Sequence, residues 1–124
     1  AVKAGRYLGY VIDQNQQPRH AIFPTFCGVP AATAPTPAVL AMRSGAAVVF
    51  VLSVPLGDGR HKVIFEGPLE PPHTGDRERD VRAFMQDLND RLERWIRVYP
   101  DRWYWVHRRW KTRPPGERAV PAGR

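Results

Sequence analysis

Four histidines, one cysteine and a scatter of carboxylates are the groups that could do acid–base, nucleophilic or metal chemistry in this chain. His20, His61, His73 and His107 share no metal-ligand spacing with one another or with Cys27. No serine sits in a nucleophile elbow, and neither a phosphate-binding loop nor a dinucleotide fingerprint is present. Spacing alone therefore yields no complete catalytic set, and no metal or cofactor is expected.

Five features remain. Asp13 follows a strand-like run, which is a common position for a site carboxylate in α/β folds and an equally common turn position. The stretch Phe23-Pro-Thr-Phe-Cys-Gly-Val-Pro-Ala-Ala-Thr33 mixes aromatic, Gly, Pro and small hydroxyl residues. Such a loop can offer backbone N–H groups to an anion, line an apolar slot, or simply connect elements. Arg43, on a mostly apolar short helix, can reach a phosphate or carboxylate or stay a surface residue. Cys27 has no evident base near it and reads as a small buried or rim residue. The most unusual stretch is Trp103-Tyr-Trp-Val-His-Arg-Arg-Trp-Lys111, with three of the four tryptophans and three cations in nine positions. Its aromatics and cations suit a lipid headgroup layer, can stack on nucleobases, or can pack Trp103 and Trp110 onto a neighbouring helix.

Several elements must position these groups. Residues 7–12 read as a strand, and residues 21–26 as a short apolar run broken by Pro24. Residues 28–35 read as loop. Residues 37–44 read as a short helix, with Thr36 as N-cap, Pro37 opening it and Gly45 stopping it. The Val-rich run 46–54 suits a strand buried on both faces. Gly57-Asp-Gly59 signals a hairpin to a second strand over 61–66, followed by a proline-bearing linker over 67–75. Residues 76–99 show the clearest helical period: Val81, Phe84, Met85, Leu88, Leu92, Trp95, Ile96 and Tyr99 share one face. A further short helix is expected over 101–111. The class is α/β, a mixed sheet flanked by helices. Residues 1–114 are expected to form one domain portion, with 115–124 a mobile Pro/Gly/Arg tail.

The formal net charge of +7 is uneven: residues 100–124 hold seven basic and two acidic groups. Such a field favours an anionic partner, whether lipid phosphate, acidic protein or nucleic acid. A lone cysteine permits no internal disulfide and fits a reducing compartment. No run is apolar and long enough to span a bilayer. The first expected strand follows the N-terminus almost at once, which suits a piece of a longer protein.

Against this background the chain resembles the lipid A biosynthesis acyltransferases, the lauroyl/myristoyl group of the glycerolipid acyltransferase superfamily. The matching pieces are Gly9-Tyr-Val-Ile-Asp-Gln14, the Phe23 to Thr33 run, Leu40-Ala-Met-Arg-Ser-Gly-Ala46, Thr74-Gly-Asp76 and Pro100-Asp-Arg-Trp-Tyr-Trp-Val-His-Arg-Arg-Trp-Lys-Thr-Arg-Pro114. The resemblance is to the family's C-terminal portion and implies a glycerolipid-acyltransferase-like fold. It also implies acyl transfer from an acyl carrier protein or acyl-coenzyme A thioester to a hydroxyl of a glycolipid. The expected place is the cytoplasmic face of the inner membrane, held peripherally in this portion. A related branch acylates phosphatidylinositol mannosides, and that acceptor class stays open. A non-enzymatic module for anionic membrane or nucleic acid is the rival reading, although no nucleic acid partner is expected.

The family's acid–base pair is a His and a carboxylate with four residues between them, upstream of the matched strand. His73 and Glu78 have that separation, and they lie at the entrance to the long helix, where chance is the better reading. The family's Asp-Gln-Asp run is Asp13-Gln-Asn15. By resemblance, Asp13, Phe23, Phe26, Gly28, Thr33 and Arg43 would line the substrate cleft. Arg108, Arg109 and Lys111 would face anionic lipid or a carrier.

Overall fold

A computed structural model describes residues 4–117. The expected α/β class holds. Two short strands, β1 (Thr25–Phe26) and β2 (Val29–Pro30), pair antiparallel. Helix α1 (Thr36–Ser44) follows, then the long antiparallel hairpin β3 (Val48–Pro55) and β4 (His61–Leu69), then helix α2 (Arg77–Val98). Short 3-10 turns stand at Pro18–His20 and Pro100–Arg102.

Helix α2 is the organising element. Asp76 caps it by accepting from the Arg79 amide at 3.1 Å. One turn on, the buried Asp80 carboxylate accepts from the Thr74 amide at 2.9 Å and its hydroxyl at 2.7 Å, which ties the linker to the helix. The expected face is the buried one: Val81, Phe84, Met85, Leu88, Leu92 and Ile96 join Phe26, Ala31, Ala38 and Phe50 in one core. Each large side chain so removed from water contributes about 1.5–3 kcal/mol.

The Gly57-Asp-Gly59 turn closes β3 onto β4, with the Leu56 amide donating to Arg60 O at 2.9 Å. β4 runs on past the expected end to Leu69, and an extra residue there bulges the ladder between Val48 and Phe50. Gly67 sits at the bulge with φ of 144°, and a Cβ there would lie 2.9 Å from Val48 O. The hairpin is fastened to α2 by Glu66. Its carboxylate accepts from Arg91 at 2.7 Å, Arg94 at 3.0 Å and the Trp95 indole at 2.6 Å.

Five expectations change. Residues 7–12 form neither strand nor helix and join no ladder, and Tyr7, Leu8, Tyr10 and Val11 are exposed. An apolar run becomes a strand only where a second strand supplies hydrogen bonds, and none runs beside this segment among the described residues. β3 is buried on one face only: Phe50 and Val54 point inward, whereas Val51 and, across the pair, Phe65 are 53% and 69% exposed. Residues 28–35 are part strand, since the Ile22–Thr33 bridge extends the β1–β2 hairpin. α1 starts at Thr36 itself, so Pro35 holds the cap position without a side-chain bond; Gly45 ends the helix as expected, at φ of 67°. Residues 103–111 form successive turns rather than a helix. Arg109 and Trp110, neighbours in these turns, both pack inward. Residues 118–124 of the expected tail lie outside the described residues.

Desolvation raises the Glu66 carboxyl, but the hydrogen bonds from Trp95, Arg91 and Arg94 outweigh it and hold the group below the usual carboxylate range. A lowered folded-state pKa gives stability that is present above the unfolded value and lost as pH falls through the folded one. Glu66→Gln is therefore expected to lower stability by about 1–2 kcal/mol at neutral pH, read from urea unfolding midpoints. The gap to the parent should narrow in acid.

Candidate functional site

The densest polar constellation is built around Arg109. The turns over 103–111 direct its side chain into the interior, where it is fully buried. Nη1 donates to Ala32 O at 2.7 Å and, more weakly, to Gln14 O at 3.5 Å; Nη2 donates to Thr33 Oγ1 at 2.6 Å. Thr33 passes its own hydroxyl proton to Ala31 O at 2.9 Å. The guanidinium carbon stands 5.5 Å from the centre of the Phe26 ring, within cation–π range. Burial pulls the Arg109 pKa down to about 10, against the charge of Asp13, so the side chain is still a cation at neutral pH.

Asp13 is half-buried beside this group. Its Oδ2 accepts from the Trp103 indole at 3.4 Å, and its Oδ1, though buried, has no donor among the described residues. Two residues on, Asn15 closes the arrangement. Its amide N–H donates to His107 Nε2 at 2.9 Å, which requires the neutral ring with its proton on Nδ1. Asn15 Nδ2 donates to Thr112 Oγ1 and its Oδ1 accepts from the Thr112 amide, both at 3.0 Å. Arg113 reaches Pro30 O at 2.9 Å and the Trp110 indole reaches Phe26 O at 3.2 Å. Segment 103–113 is thus laced to residues 13–15 and to the β1–β2 hairpin.

The hairpin's other side rests on polar side chains of α2. Gln86 accepts from the Thr25 amide at 2.8 Å and donates to Thr25 O at 3.1 Å; Asn89 adds a bond to the same carbonyl at 3.2 Å. Glu93 accepts from the Cys27 amide at 2.8 Å. Cys27 is exposed at the turn with φ of 52°. Partial burial and the Glu93 charge raise its thiol, against Arg97, so it is a poor nucleophile.

Of the residues expected to line a cleft, the fold brings together Asp13, Phe26 and Thr33, around Arg109. The other three stand elsewhere. Phe23 lines an open surface depression with Pro24, Asp76, Arg79, Arg82 and Gln86. Gly28 is exposed at the tip of the β1–β2 turn, and Arg43 is exposed on the last turn of α1. Arg108 and Lys111 are exposed as expected, but Arg109 is not: it faces the core rather than lipid or a carrier. A cation ringed by backbone carbonyls and an aromatic face finds its partners inside the protein. His73 is exposed, and Glu78 is engaged by Arg82 at 2.6 Å, so the two do not form an acid–base pair.

Sequence reading missed Asn15, Thr112, Gln86, Asn89 and Glu93. Gln86, Asn89 and Glu93 recur at three- and four-residue steps flanking the apolar face of α2, a stripe visible in advance. Asn15 gave no such signal. Lysine at position 109 would keep the charge but not the two-armed geometry. Arg109→Lys is expected to cost about 2–4 kcal/mol of unfolding free energy, with Arg108→Lys within about 0.5 kcal/mol of the parent, by denaturant titration.

A family model for bacterial lipid A biosynthesis acyltransferase matches residues 1–112. The chain is 34% identical over 119 residues to the lipid A biosynthesis lauroyltransferase of Escherichia coli (strain K12), covering 94% of this chain and 37% of that protein. It is 32% identical over 121 residues to the palmitoleoyltransferase of the same organism, covering 97% and 38%. To the myristoyltransferase it is 29% identical over 118 residues, covering 94% and 35%. The chain thus spans somewhat more than a third of the length of these relatives. With one model accounting for residues 1–112, the chain belongs to the bacterial lipid A biosynthesis acyltransferase family.

Proposed function

We propose that this chain is the C-terminal portion of an enzyme that moves a fatty acyl group from a carrier thioester to a hydroxyl of a lipid A precursor or related glycolipid. The family match over residues 1–112 carries this reading. In the reaction the acceptor oxygen attacks the thioester carbonyl, the C–S bond breaks, an ester C–O bond forms, and the hydroxyl proton passes to a base before leaving with the thiol. A histidine oriented by a carboxylate would serve as that base, and in this reading it lies upstream of residue 1.

The chain's own part is to shape one wall of the cleft. Asp13 is the residue best suited to touch substrate, because its Oδ1 is an acceptor without a donor among the described residues and its other oxygen is steadied by Trp103. Phe26 and Thr33 would act as that wall's support, held by Arg109. Phe23, Gly28 and Arg43 would meet substrate or carrier only from other surfaces. The uncovered face of the hairpin, with Val49, Val51, Val63 and Phe65, suits a portion that packs against the rest of a larger domain. The donor would be an acyl carrier protein or acyl-coenzyme A, and the setting the cytoplasmic face of the inner membrane, held peripherally. No helix of the described residues is long and apolar enough to cross a membrane.

The chain alone, given acyl-carrier thioester and lipid A precursor, should form no ester detectable by mass spectrometry. Joined behind a family segment bearing the His-x4-carboxylate pair, it should support transfer, and Asp13→Ala should reduce that rate at least about tenfold. Turnover by the chain alone that disappears in His73→Ala would contradict the proposal.

A further inference from the structure

We infer that residues 104–111 form a rigid prong that seats in an anionic lipid surface, with Tyr104, Trp105 and Val106 as its apolar tip and Arg108 and Lys111 as its headgroup contacts. The inference rests on the preceding reading and assigns the residues that would meet the membrane.

The turns divide this segment cleanly. Trp103, Arg109 and Trp110 pack inward, and His107 is held by the Asn15 amide. What remains faces solvent: Tyr104 is 69% exposed, Trp105 54% and Val106 77%. Three consecutive exposed apolar residues are an anomaly for a water-facing turn. They are also held in place. Successive turn bonds join Trp105 N to Trp103 O, His107 N to Tyr104 O and Lys111 N to Arg108 O, at 3.0–3.1 Å. The Trp105 indole N–H donates to Pro100 O, so the ring's polar group is satisfied within the protein and its open edge is apolar. A tip already ordered loses little entropy on insertion.

The charges beside it are uncommitted. Arg102 is tied to Asp101 at 3.0 Å and Arg113 to Glu117, whereas no carboxylate of the described residues lies within ion-pair distance of Arg108 or Lys111. Aromatic and aliphatic side chains flanked by unpaired cations match the order of layers in an anionic bilayer, with phosphate above the acyl boundary. A nucleic acid would use the rings and cations but gives no partner to Val106, the most exposed of the three.

The test is co-sedimentation of the 124-residue chain with vesicles of phosphatidylcholine, with or without phosphatidylglycerol. Binding is expected only with phosphatidylglycerol present. It should fall about fivefold in Lys111→Gln and about tenfold in the double variant Trp105→Ser, Val106→Ser. Circular dichroism checks that both variants remain folded. Unchanged vesicle binding by the double variant would overturn the inference, as would equal binding to phosphatidylcholine alone. Binding of an acidic acyl carrier protein through these residues, with no vesicle binding, would overturn it too. None of these outcomes decides the acyl-transfer reading, which stands or falls on ester formation by the joined enzyme.

Discussion

A guanidinium without solvent exposure has to find all its stabilisation in the protein around it, and Arg109 imposes that constraint on three separate stretches of chain. Its two Nη groups donate to Ala32 O and Thr33 Oγ1 at the end of the hairpin and, more weakly, to Gln14 O in the N-terminal segment. Phe26 supplies a ring face, and Asp13 the opposing charge. Since residues 7–12 join no ladder, the position of Asp13 depends on this cation, on Trp103 and on the Asn15 contacts rather than on a sheet. The carboxylate best placed to meet a substrate is thus located by side chains from some ninety residues away in sequence.

Helix α2 supplies the other half of the frame by using two adjacent faces differently. Its apolar face makes the core, and the polar stripe beside it recognises backbone, with Gln86 and Asn89 on Thr25 and Glu93 on Cys27. The hairpin that carries Phe26 and Thr33 is therefore clamped between a helix and a buried cation. Glu66 does the corresponding work for β3–β4, drawing two arginines and an indole from α2 onto one carboxylate. The Trp103 to Lys111 stretch combines two roles that its composition blurred. Trp103 packs edge-on to Phe26 with centroids 5.4 Å apart and Trp110 stacks on it at 5.7 Å, while Tyr104, Trp105 and Val106 turn outward.

What sequence made legible follows from how local each signal is. The period of α2, the Gly45 stop and the Gly57-Asp-Gly59 hairpin are set by residues close in the chain, and all appear where expected. The family itself was legible because its motifs occur in order along almost the whole chain. Three readings failed because they needed information from elsewhere. The run 46–54 is apolar enough for two covered faces, but cover depends on what packs above it, and the described residues supply only one side. Residues 7–12 are apolar enough for a strand, yet a ladder needs a partner edge. Arg109 carries the same charge and a similar neighbourhood to Arg108, and only the fold separates the buried one from the exposed one. Asn15 was read as a lost carboxylate, whereas its amide both donates to and accepts from Thr112.

The central claim is that one buried arginine couples the Asp13 segment, the hairpin and the C-terminal turns. Amide hydrogen exchange in an Arg109→Met variant measures that coupling directly. The account predicts that protection at Asn15, Ile22, Ala31, Thr33 and Thr112 falls together, while the Val51–Phe65 ladder keeps its parental rates. Loss confined to residues 108–112, with the hairpin amides unchanged, would contradict it.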